Sequence, residues 1–217
     1  MRFYLSIIFL AFLSGARAGV DFTPTDGQRT LEGIVFKQTI FHQNGGPISY
    51  EKPKGWTISG DSQSLKLTPP NLSQARATME QMPLPAPQPL DEATTAKLRA
   101  EALASVPNES LNVILVAEEK NPLRINQQDT YAVTVSYNFY GQDYGLSLLF
   151  ANLPDTQLRF RVVARKADFE AVNRAFRASL FTLSWEQNQA GAAESWRNLR
   201  TRRGMISSTW SNSASVL

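Results

Sequence analysis

The chain has 217 residues, of which 42% are hydrophobic, and a formal net charge of +3. It contains no cysteine, which excludes disulfides, thiolate metal sites, a cysteine nucleophile and a lipid anchor attached through cysteine. Without Arg2 and Arg17 of the N-terminal segment, 20 basic residues (22 − 2) stand against 19 acidic ones. The remainder is long enough for one sizeable core. Its net charge is only +1 (20 − 19), so nucleic acid is not an expected partner.

Residues 1–18 have the pattern of a signal peptide. Met1 and Arg2 supply a positive start, residues 3–13 are almost wholly apolar, and Ala16-Arg17-Ala18 places small residues where signal peptidase reads them. The apolar run is shorter than the ~20 residues that span a bilayer. We therefore expect an exported, periplasmic or secreted protein that is cleaved before Gly19, with an uncleaved anchor as the alternative.

The next segment predicts several short strands. Residues 19–29 show no periodicity and are expected to form a loose leading segment, and Asn44-Gly45-Gly46-Pro47 is a turn by composition. Alternating apolar residues predict strands at Leu31–Phe41, Ile48–Tyr50, Trp56–Ile58, Ser64–Thr68 and Ala75–Met82.

A proline-rich segment separates these strands from a helix. Pro83, Pro85, Pro87 and Pro89 each fix φ and lack a backbone donor, so the segment is expected to be extended. It is either a stiff crossover or a ligand for a proline-recognising groove. Asp91 then predicts the N-cap of a helix that reaches about Val106 and is stopped by Pro107, and residues 112–118 resume β character.

The region from Thr130 to Trp185 has the strongest pattern. Strict alternation at residues 131–140, 146–150 and 157–164 predicts an antiparallel meander, and the period then changes to that of a helix. Asp168 is the predicted N-cap of this helix. We expect Phe169, Phe176 and Leu180 to cover the apolar face of the meander, in contact with Val133 or Phe160. The pattern predicts an α+β fold with helix packed on sheet.

Residues 186–217 differ in composition. Ala192, Trp196 and Leu199 have helical spacing, and four arginines, among them Arg197 and Arg203, precede Gly204. We predict a short C-terminal helix followed by a frayed tail. The Arg197–Arg203 cluster is a candidate for contact with an anionic membrane, although solubility and end-capping explain it equally well.

No catalytic or metal site is predicted. His42 is the single histidine, so two-histidine relays and histidine-rich metal sites within one chain are excluded. No serine lies in a nucleophile elbow, no glycine loop cradles phosphate, and the turn carboxylates Asp143 and Asp155 fit solvated positions. We therefore expect no catalytic residue, no cofactor and no metal.

Five residues are candidates for partner binding. Arg159 and Arg161 project from the sheet face opposite to Phe160, and with Arg165 and Lys166 they would form a basic surface for an acidic partner. The aromatic candidates are Trp56, Tyr140 and Tyr144, which lie at predicted turns, where they serve either recognition or ordinary corner packing.

The segment Tyr50-Glu51-Lys52-Pro53-Lys54-Gly55-Trp56 is similar to the "Y…P-x-G-W" opening of PsbP-like domains, a fold shared with a Ran-binding nuclear-import factor. The proline-rich exit, the two helices and the meander occur in the order of that family, over roughly residues 48–185. The resemblance implies an α/β/α sandwich with a central antiparallel sheet. It also implies a mostly non-enzymatic family of extrinsic photosynthetic subunits, transport adaptors and exported bacterial proteins of unknown role.

These observations predict a signal peptide at 1–18, one PsbP-like domain at 19–185 and a C-terminal helix and tail at 186–217. The leading hypothesis is an exported, non-catalytic binding or assembly module of the bacterial cell envelope that recognises a protein. One alternative is a carrier of a small molecule or metal ion. The other is a hydrolase whose carboxylates meet only in the fold.

Overall fold

The computed structural model of the protein describes residues 19–185, and the predicted leader and C-terminal helix lie outside this range. Its strands are β1 (Val20–Leu31), β2 (Ile34–Gln43), β3 (Gly46–Tyr50), β4 (Thr57–Gly60), β5 (Ser64–Thr68), β6 (Arg76–Pro83), β7 (Leu111–Lys120), β8 (Thr130–Phe139), β9 (Gln142–Asn152), β10 (Thr156–Arg165) and β11 (Ser184–Trp185). Its helices are α1 (Glu92–Ala104) and α2 (Lys166–Leu180).

A large antiparallel sheet forms the centre of the fold, with α1 on one face and α2 on the other. Its strand order is β4-β5-β6-β10-β9-β8-β7, and β8, β9 and β10 form the predicted meander. Leu98 and Ala102 of α1 pack on Tyr131, Val133 and other apolar residues of β8 and β9. The predicted α+β class and the α/β/α layering are therefore confirmed.

Helix α2 seals the second face as expected. Phe169, Phe176 and Leu180 belong to one buried cluster with Phe160. Val133, however, belongs to the cluster under α1. The reason is register: Phe160 pairs with Leu149, which pairs with Ala132, so the neighbouring residue Val133 faces the opposite side.

The start of α2 differs from the prediction. The helix begins at Lys166, directly after β10, and Asp168 lies in its first turn instead of serving as N-cap. The N-cap position is taken by Arg165, whose side chain makes no capping hydrogen bond. Helix α1 does have the predicted cap, since the carboxylate of Asp91 accepts a hydrogen bond from the Thr94 amide at 2.8 Å.

A second sheet, with strand order β1-β2-β3-β11, was not predicted. Residues 19–29 were expected to be a loose segment, but Val20–Leu31 forms β1, which pairs with β2 through a turn at Glu32 (φ 49°) and Gly33 (φ 80°). The strand predicted at Leu31–Phe41 corresponds to β2, which begins at Ile34. Most side chains of this ribbon are at least partly exposed on both faces, so no hydrophobic period marks it. The expected turn at Asn44 and Gly45 is confirmed.

The small sheet packs beside α2 on the same face of the large sheet. Phe22, Phe41 and Ile48 join the buried cluster that contains Phe160. The hydroxyls of Tyr50 and Ser179 share a hydrogen bond of 2.7 Å between β3 and α2, and burial raises the pKa of the Tyr50 phenol. After α2, β11 pairs with β3, so the chain returns to the small sheet.

An ionic cluster joins α1 to the last strand of the large sheet. The guanidinium Nε of Arg99 lies 2.7 Å from Glu118 Oε1 in β7, and the hydroxyl of Tyr131 donates to the same carboxylate. The Tyr131 hydroxyl, followed by Arg99, holds the pKa of Glu118 below its usual value because both favour the ionised form.

We predict that Gly145→Ala destabilises the protein by roughly 1–3 kcal/mol, the usual range for overpacking. A Cβ at residue 145 would lie 2.6 Å from Cδ2 of Phe169, so the first turn of α2 would have to move. Urea unfolding of the single variant and of Gly145→Ala with Phe169→Leu checks this. Leucine at residue 169 is smaller than phenylalanine, so the double variant should recover part of the stability that Gly145→Ala loses. If the two substitutions instead lower the free energy of unfolding additively, the contact is contradicted.

We predict that Glu118→Gln lowers the free energy of unfolding by about 1 kcal/mol at pH 7, since the pair is partly screened by solvent. The folded-state pKa of Glu118 is depressed, so its contribution is complete above the ordinary pKa of 4.5 and is lost as pH falls through the folded value. When unfolding is measured at pH 7, 5 and 3, the difference in free energy of unfolding between the variant and the native chain should shrink as the pH falls. Glu80→Gln, at an exposed carboxylate without an ion pair in the described residues, is the control.

Candidate functional site

The outer strand of the large sheet exposes a row of apolar side chains. Residues Leu111, Val113, Ile114, Leu115 and Val116, here called the β7 edge surface, are 37–65% exposed. No strand among residues 19–185 pairs with the outer edge of β7. Its backbone amides and carbonyls on that side are consequently available to a further strand.

The uncharged run from Leu111 to Val116 contains neither proline nor lysine, two residues that commonly protect sheet edges. Its ladder with β8 shifts register between Leu111 and Ile114 and again between Leu115 and Ala117. These irregularities twist the strand without covering its side chains. A segment of this composition is prone to add further strands unless something covers it.

Ion pairs hold the second half of β7 from both faces of the sheet. Glu118 binds Arg99 of α1, and the next residue, Glu119, has its Oε1 2.8 Å from Nη1 of Arg177 in α2. Successive strand residues point to opposite faces, so the two pairs restrain the strand from opposite sides. The β7 edge surface is therefore presented on a fixed strand.

A second exposed apolar surface lies at the end of the β1–β2 ribbon. Leu31 pairs with Ile34, and Arg29 pairs with Phe36, so all four share one face. Leu31, Ile34 and Phe36 are each at least 38% exposed. This surface, the ribbon tip, belongs to the small sheet, whereas the β7 edge surface lies at the end of the large sheet.

The two arginines predicted to form an open basic surface are engaged by α1. The side chain of Arg159 is only 17% exposed, and its Nη1 lies 2.6 Å from Glu101 Oε1. Arg161 donates from Nη2 to the Ser105 carbonyl at the end of α1, and burial lowers the pKa of Arg161. The face opposite to Phe160 is thus the one that α1 covers, which corrects the prediction of an open basic face at these residues.

The three aromatic candidates are not brought together. Trp56 is 6% exposed and stacks on Phe176 at a centroid distance of 6.4 Å, so it packs in the core. Tyr144 stacks on Tyr137, and its hydroxyl donates a hydrogen bond to Gln74 Oε1 at 2.7 Å. Tyr140 is 79% exposed in the β8–β9 turn. Of the three, only Tyr140 presents its ring to solvent.

Residues 19–185 were also expected to lack a metal site and paired catalytic carboxylates. No group of three histidine, cysteine, aspartate or glutamate side chains that could hold a metal ion occurs in this range. His42 is exposed at the end of β2. Among the clefts that these residues form, three have linings with no more than one carboxylate each.

In the part of the chain that the structure describes, no helix has the length and apolar character needed to cross a membrane. The Arg197–Arg203 cluster lies outside that part.

The widest of the three clefts lies where the two sheets separate, between the β1–β2 ribbon and β4. It has a volume of about 510 Å³, and its lining combines polar and apolar surface. Its lining consists of Asp26, Gly27, Gln28, Lys37, Gln38, Thr39, Lys52 and Ile58. Sequence reasoning missed this cleft because β1 was not recognised as a strand.

Comparison by sequence finds no matching family model and no similar curated protein. Comparison by structure finds solved chains of low identity. LpqN of Mycobacterium tuberculosis, described as involved in cell envelope biogenesis, is 11% identical with a TM-score of 0.46, over 75% of this chain and 91% of LpqN. PsbP (CyanoP) of the cyanobacterium Synechocystis is 13% identical with a TM-score of 0.42, over 75% and 92% of the two chains.

A protein of Bacteroides thetaiotaomicron is 13% identical with a TM-score of 0.39, and the match covers 65% of this chain. The match covers 46% of that protein, so this chain spans less than half of its length. A PsbP is therefore among the structural neighbours. Each of these likenesses concerns the fold and assigns no family.

Proposed function

We propose that the chain is an exported, non-catalytic binding module of the bacterial cell envelope. In this proposal an extended apolar segment of a partner protein pairs with β7 as an additional strand. The observation that carries it is the β7 edge surface, an uncharged apolar run beside a backbone edge with which no strand of residues 19–185 pairs. Export is supported by the leader pattern of residues 1–18.

Strand addition suits this surface because backbone hydrogen-bonding groups and apolar side chains lie side by side along β7. Backbone hydrogen bonds along an edge supply affinity, and alternate side chains supply selectivity. Leu115 pairs with Val135 and so lies on the α1 side, whereas Ile114 pairs with Ser136 and lies on the α2 side. A partner strand would therefore meet apolar side chains on both faces, which favours a partner segment that is apolar throughout.

A different protein fits this edge better than a second copy of the chain. The ladder is irregular on both sides of Ile114, and Asn112 has a positive φ of 51°. A flexible extended segment can follow an irregular edge. A second β7 would bring the same irregularities to the same place, which interrupts the new ladder twice.

We predict that Ile114→Lys combined with Val116→Lys weakens a saturable complex with an envelope-extract protein by about tenfold or more, since tenfold corresponds to 1.4 kcal/mol. The matched control is Ile34→Lys with Val35→Lys on the ribbon, where the replaced residues are equally exposed. Both double variants should keep the native melting temperature within a few degrees, because the changed side chains are on the surface.

Hydrogen exchange gives the decisive readout for this proposal. In the complex, the amides of Leu111–Val116 should gain protection. Three results would overturn the proposal: no saturable complex at micromolar concentration, a complex that the β7 variant binds as well as the native chain does, or a native chain that dimerises through β7 when alone.

A further inference from the structure

The inner face of the β1–β2 ribbon changes from apolar to polar along its length. Near the core it contributes Phe22 and Phe41 to the buried cluster. Further along the same face, Asp26 pairs with Thr39, and Gln28 pairs with Lys37. The two sheets therefore enclose a dry core at one end and a polar opening, here called the mouth cleft, at the other.

The mouth cleft holds polar groups that have no partner in the described residues. Thr39 is only 7% exposed, and its hydroxyl makes no hydrogen bond within residues 19–185. Lys37 and Lys52 form no ion pair there. The Thr39 hydroxyl is not among the buried atoms without a partner, so it is open to the cleft and can bond to a ligand.

The charges of the cleft favour a ligand with an anionic group. Two lysine ammonium groups stand against one carboxylate, that of Asp26. Gln28 and Gln38 add amide donors, although the amide of Gln38 also approaches Glu51 Oε1 at 3.5 Å. Ile58 supplies one apolar wall. A volume of about 510 Å³ lies within the range of small-molecule sites.

We propose that the mouth cleft binds a small organic molecule through an oxyanion group, either a carboxylate or a phosphate. Lys37 and Lys52 contact the anionic oxygens, and the hydroxyl of Thr39 donates to the ligand from the inner wall. The Asp26 carboxylate repels ligands of high negative charge and favours a ligand that also carries a hydrogen-bond donor. The cleft is formed with β4, at the edge of the large sheet opposite to β7, so this site is separate from the proposed strand-addition surface.

The test uses the full chain with inorganic phosphate and with succinate as probes, followed by calorimetry and amide chemical shifts. We expect saturable binding of at least one probe, with shifts at residues 37–39 and 52. A response to phosphate alone indicates phosphorylated ligands, and a response to succinate alone indicates carboxylates. Failure of both probes to saturate at millimolar concentration would overturn the proposal.

Three cleft variants and one control separate binding from folding. Lys37→Gln and Lys52→Gln should each weaken binding about tenfold, the effect of losing one charge-assisted hydrogen bond. Lys66→Gln, at an exposed lysine of β5, is the control and should bind normally. Thr39→Val should weaken binding while leaving the melting temperature within a few degrees of the native value, because valine has nearly the same shape and the lost hydroxyl makes no hydrogen bond within residues 19–185. Normal binding by all three cleft variants would place the anion elsewhere and overturn the assignment.

Discussion

The fold depends on the close contact between α2 and the strands that precede it. Arg165 ends β10 and Lys166 begins α2, so the helix has no connecting loop and must run back over its own sheet. Gly145 makes this possible, because any side chain there would enter the ring of Phe169. In this position Phe176 of α2 stacks on Trp56, and Ser179 of α2 forms a hydrogen bond with Tyr50 of β3. These contacts hold the small sheet beside α2. The mouth cleft exists because that second sheet is long enough to extend past the core.

Charged pairs have a different role from the apolar core. Each helix sends one arginine to the outer strand: Arg99 reaches Glu118 and Arg177 reaches Glu119. Such partly exposed pairs contribute little free energy individually. Their placement matters more, since they fix the end of a strand whose other half carries unprotected apolar side chains. A rigid edge loses less conformational entropy when a partner binds, which favours affinity.

Sequence patterns predicted the parts of the fold in which one face is buried. The meander, α1 with its Asp91 cap and the strand Ser64–Thr68 were found because burial imposes a period on the residues. Of the ribbon, β2 was predicted as the strand Leu31–Phe41, whereas β1 was missed because the ribbon extends beyond the core and solvent on both sides imposes no period. Arg159 and Arg161 were placed on the correct face, but the sequence does not reveal that α1 covers it. The mouth cleft depends on the separation of two sheets, a property that no single segment encodes.

The turn at Glu32 and Gly33 has a practical consequence. Both residues adopt left-handed backbone angles at the far end of a ribbon that is solvated on each side. Exposed loop tips of this kind tolerate inserted sequence well. A short epitope or a fluorophore-bearing peptide placed there would leave the packing of α2 and both sheets intact, and the protein could then be followed in cells without altering either of its proposed binding surfaces.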